Sequence, residues 1–172
     1  MAMKDKGNPI VDMLTLRRDL YFVMSLLLAD KEVAKLHNVV DWTEAFHENE
    51  VRRLMLWVAA AMRGLLDLLD EEKDNFGGQH CGEYWADFGS GEMADLEFRQ
   101  ACNSVIHAKE ILPYWIPKQE SKRTVKRVYT DRLTVRGTHK GKTTRAQLDI
   151  IEFVRIADTL INALGGADNA NE

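Results

Sequence analysis

At Pro117 the hydrophobic rhythm of this chain changes. Before it, apolar residues recur every three or four positions, the period of a helix face; beyond it they alternate, the period of a strand. Met13, Leu16, Leu20, Val23, Met24 and Leu27, with Arg17, Arg18 and Asp19 opposite, predict an amphipathic helix from Val11 to about Ala29. Asp41 or Thr43 is a candidate cap for a second helix reaching about Leu69, and its run Leu54 to Met62 is apolar on nearly all sides, as in a buried helix. Residues 73–91 carry Gly77, Gly78, Gly82, Gly89 and Gly91 among Phe76, Tyr84, Trp85 and Phe88, which reads as a loop packed against the domain. A third helix is expected from near Glu92, with Asp95 and Glu97 suiting its N-terminal dipole, until Pro113 ends it.

Beyond Pro117, Leu133 and Val135 alternate with Arg132, Thr134 and Arg136, while Ala146, Leu148 and Ile150 alternate with Arg145, Gln147 and Asp149. With Gly137 to Lys142 between them, these runs predict a β-hairpin over about 128–149. A last helix over 151–164 stops at Gly165-Gly166. The expected fold is mostly α: a helical bundle with one antiparallel β-hairpin before the C-terminal helix. Residues 11–164 read as a single domain, between a flexible segment 1–10 and a disordered tail 165–172.

Composition fits that size. Of 172 residues, 45% are hydrophobic and 29% charged, ordinary values for a globular domain. Two cysteines, Cys81 and Cys102, are too few for a disulfide scaffold, and the polar N-terminus carries no targeting pattern, so the chain is expected in the cytoplasm with reduced thiols. The apolar runs are too short for a membrane, since a spanning helix needs about 20 apolar residues. His80, Cys81, Cys102 and His107 offer zinc-type donors, but no Cys-x-x-Cys or His-x-x-x-His pair organises them, so neither metal nor cofactor is expected.

Charge is unevenly spread. The chain is −4 overall, yet residues 118–145 hold ten Lys and Arg against Glu120 and Asp131, a local +8 that leaves −12 elsewhere. Within it, Arg132, Arg136 and Arg145 fall on the hairpin's polar face, with Lys140 and Lys142 at its tip, a candidate phosphate-binding surface for RNA or another polyanion. A solvated face whose charges keep strands from pairing with other molecules explains the same residues.

On the third helix, Arg99, Asn103 and His107 lie at i, i+4 and i+8, sharing one side. Such a stripe suits phosphodiester chemistry: His107 as acid or base, Arg99 stabilising charge, Asn103 orienting the group. The structural alternative sets His107, beside Val105 and Ile106, buried at the core edge with its ring hydrogen-bonded, and this alternative is preferred.

The run Phe98-Arg99-Gln100-Ala101-Cys102-Asn103-Ser104-Val105-Ile106-His107-Ala108 resembles the Arg-x-x-x-Asn-x-Ile-Ile-His-Ala helix of bacterial domains similar to the HEPN superfamily. The hairpin at Gly137 to Gln147, followed by a helix, is similar to the end of some members. The resemblance implies a small helical bundle of bacterial defence or stress systems, dimeric in many members, that cleaves RNA with an Arg and a His of one helix. Nucleases of the family keep four to six residues between those two, whereas seven separate Arg99 from His107. The resemblance therefore implies a non-catalytic module that binds nucleic acid or a partner protein. Two other readings stand beside it: a metal-independent ribonuclease using His107 and Arg99, and a structural homodimerisation domain.

Overall fold

The computed structural model describes residues 12–33, 40–69, 75–121 and 124–165. The segment 1–10 and, Gly165 apart, the tail 165–172 lie outside the described residues. The described elements are α1 (Met13–Val33), α2 (Val40–Leu68), β1 (His80–Trp85), β2 (Ala94–Glu97), α3 (Phe98–Ile106), β3 (Glu110–Ser121), β4 (Thr124–His139), β5 (Lys142–Asp149) and α4 (Ile150–Gly165). The strands form one five-stranded sheet in the order β2-β1-β5-β4-β3, antiparallel at every step.

This is an α/β fold, and it corrects the expected helical bundle with a single hairpin. The predicted hairpin exists as β4–β5, turning at Lys140 and Gly141, both at positive φ (50° and 80°) as a tight two-residue turn requires. Three further strands join it. β3 contains Pro113 and Pro117, which read locally as helix stops; on an edge strand the outward N–H groups have no ladder partner, so proline is tolerated there. β1 passes through the glycine-rich stretch because Gly82 is needed: at φ 149° a Cβ there would collide with the Gln147 carbonyl of β5. The acids before α3 belong to β2, and α3 begins only at Phe98. Its first donors go to backbone oxygens of the segment that leads into β1, Phe98 N–H to Gln79 (2.8 Å) and Arg99 N–H to Gly77 (2.9 Å).

One apolar core joins both layers. Leu16, Leu20, Val23 and Leu27 of α1, Leu54, Met55, Val58 and Met62 of α2, and Phe153, Ile156 and Leu160 of α4 are buried with Leu133, Val135, Ala146 and Leu148 of the sheet. Phe98 of α3 meets Phe153 of α4, ring centroids 4.9 Å apart. α2 is less enclosed than its composition suggests: Trp57 is 46% exposed and Leu68 is exposed on the side away from this core. Asp149, the last residue of β5, accepts from Glu152 N–H (3.1 Å) and so caps α4.

The other face of the sheet is polar. Cross-strand register sets Arg132 opposite Asp149, Thr134 opposite Gln147 and Arg136 opposite Arg145, with Glu83 and Trp85 of β1 beside Gln147 and Arg145. β4 is twice the length of β5. Its residues 132–139 pair with β5, while 124–129, beyond a register shift, pair with β3 alone, so the sheet runs on as a two-stranded ribbon.

Candidate nucleic-acid interface

The α3 stripe is only partly a surface. Arg99 donates to Asp67 Oδ1 (2.9 Å) and to the Leu66 carbonyl (3.3 Å), and Arg63 Nε donates to Asn103 Oδ1 (3.1 Å) while also pairing with Asp67. Two members of the proposed catalytic set are thus engaged with α2, where they clip α3 to it. His107 corrects the preferred structural reading. It is the C-cap of α3, at φ −99° and ψ 13°, so its side chain leaves the helix's apolar arc and is exposed. The following turn returns beside β4, where Lys109 N–H donates to the Arg136 carbonyl (2.9 Å).

The sequence-predicted basic residues do gather on the sheet. Arg132 pairs with Glu83 (3.5 Å), Arg136 with Glu110 (3.4 Å) and Lys142 with Asp87 (3.1 Å), while Lys140 is exposed at the turn. Beneath them Thr134 and Gln147 are buried. These are exposed or half-exposed pairs, each worth about 0–1 kcal/mol, and they exchange readily for a stronger anion. Lys118, Lys126 and Arg127 lie farther along the ribbon, where register sets Lys118 opposite Lys126 and Arg127 opposite Pro117.

Arg145 is held differently. Its guanidinium carbon lies 5.4 Å from the Trp85 ring centroid and 5.1 Å from that of Phe88, and its Nε is buried with no hydrogen-bond partner among the described residues. Directly opposite stands Arg136, an arrangement that costs energy unless the charges are otherwise satisfied; Glu110 does this for Arg136 and the two rings for Arg145. The loop carrying Phe88 is firmly built. Phe88 N–H donates to the Thr143 carbonyl (2.9 Å), Ser90 N–H to the Asp87 carbonyl (3.0 Å), and Gly89 N–H to Asp87 Oδ1 (3.1 Å). The Lys142 hydrogen bond, then the Gly89 N–H, hold the Asp87 carboxyl below the usual carboxylate range.

Sequence reasoning missed Trp85 and Phe88, assigning them to a packed loop. A signal existed in the alternation of Glu83 and Trp85 with Gly82 and Tyr84, but the register with Arg145 depends on a strand far away in the chain.

Other candidates carry less chemistry. Burial pushes the Cys102 thiol up to about 12, and burial with the neighbouring Cys102 raises Cys81 further, so both sulfurs are poor nucleophiles. Among the described residues no group of three or more His, Cys, Asp or Glu is placed to hold a metal ion. No described helix is long and apolar enough to cross a membrane. No family model, curated protein or solved structure matches the chain.

Proposed function

We propose that this protein binds nucleic acid without cleaving it, through the β3–β4 ribbon and the adjoining polar face of the sheet. The observation that carries this is the overrun of β4: residues 124–129 pair with β3 alone, in the stretch where register sets Lys118 opposite Lys126 and the sequence is strongly basic. Like charges opposite one another weaken a ladder, and a phosphate chain laid along it reverses that cost. The engagement of Arg99 and Asn103 with α2 argues for binding over cleavage, because neither is left as a dedicated partner for His107.

Fluorescence anisotropy with a labelled 20-mer, read between 50 and 200 mM salt, tests this. Affinity is expected to fall steeply with salt, and Lys118→Glu with Lys126→Glu is expected to lower it and flatten the slope by about 1–2. The strand is expected to remain full length throughout. Absence of binding at low salt overturns the reading, as does binding that ignores both substitutions. Cleavage that His107→Ala abolishes would replace it with the ribonuclease reading.

A further inference from the structure

The Trp85, Phe88 and Arg145 group carries both chemical features of a nucleotide site. Arg145 offers a positive charge neutralised by no carboxylate among the described residues, whereas Arg132, Arg136 and Lys142 each have one. Phe88 offers an aromatic surface that is 46% exposed, although its ring already meets Trp85 edge-on at 6.3 Å and 78°. A large ring left half in water on a polar loop has no packing role that needs the exposure. The loop's hydrogen bonds to Thr143 and within itself fix the ring in advance, so little ordering is required when a flat ligand arrives.

Resting on the nucleic-acid reading above, we infer that this group stacks an unpaired base on Phe88 while Arg145 attracts the adjoining phosphate, so that the preferred ligand is single-stranded. A base inside a duplex presents only its edge in the grooves, and a ring held on a short loop beside the sheet cannot reach its flat side. The ribbon supplies backbone attraction that is indifferent to strandedness; the aromatic site at the far end of β4–β5 supplies the discrimination.

Two labelled strands of equal length decide this, one of thymidine nucleotides and one of abasic sugar-phosphate units. The wild type is expected to bind the thymidine strand about five- to tenfold more tightly. Phe88→Ala, at an exposed position and checked for an unchanged melting temperature, is expected to bind both strands equally, and Phe88→Tyr to restore the preference. A preference that survives Phe88→Ala overturns the inference. So does wild-type binding to both strands alike, or equal competition by duplex, each of which leaves the broader nucleic-acid reading in place. Failure of the wild type to bind either strand at low salt removes both.

Discussion

Single residues in this protein are fixed by what crosses them. Gly82 is the clearest case, because the β5 backbone occupies the space where any other residue would hold its Cβ, and because its φ lies in the region that side chains disfavour. Gly82→Ala is expected to destabilise the fold by about 2 kcal/mol or more, through strain and displacement of β1 from β5. Denaturant unfolding measures this, and Gly78→Ala, with open space around its Cβ, is the control expected to change little. A Gly82 variant as stable as the wild type would mean that β1 does not pass so close to Gln147. His107 illustrates the opposite case, a residue placed by the end of its helix: two apolar neighbours in sequence did not make it part of the core.

At the scale of elements, α2 and α3 are joined by a polar clip in which Asp67 receives both Arg63 and Arg99. Because these side chains are partly exposed, each of Asp67→Ala and Arg99→Ala is expected to cost about 0.5–1 kcal/mol, with a coupling near 0.5 kcal/mol in a double-mutant cycle. Strict additivity would show that the contact contributes nothing. Long elements with an unbroken period were legible: α1, α2 and α4, and the β4–β5 hairpin with its alternating arginines. Three strands were not, for separate physical reasons. β3 is a proline-bearing edge, β2 has four residues with only Leu96 buried, and β1 owes its glycine to a close strand crossing. The candidate site divides in the same way. Its cations follow a local alternation, while the rings beside Arg145 come from a pairing between residues sixty positions apart, Trp85 and Arg145, and no local pattern encodes that.

For the molecule as a whole, formal charge and expected behaviour diverge. The chain is −4 with a sequence pI near 5.8, yet it concentrates positive charge in one stretch of sheet. Retention on immobilised heparin at neutral pH and low salt is therefore expected despite the acidic pI, with the Lys118→Glu and Lys126→Glu variant eluting at lower salt. Flow-through of the wild type would show that the surrounding carboxylates cancel the local field. The sheet order has a different consequence, for the timing of assembly. β5 is the last strand made but sits in the middle, between β1 and β4, so β1–β2 and β3–β4 remain two unconnected pieces until residues 142–149 arrive. During synthesis the open edges of β1 and β4 must wait, unpaired, for a strand made after both of them. Any delay in translating that region lengthens the interval in which an unfinished chain needs protection from aggregation.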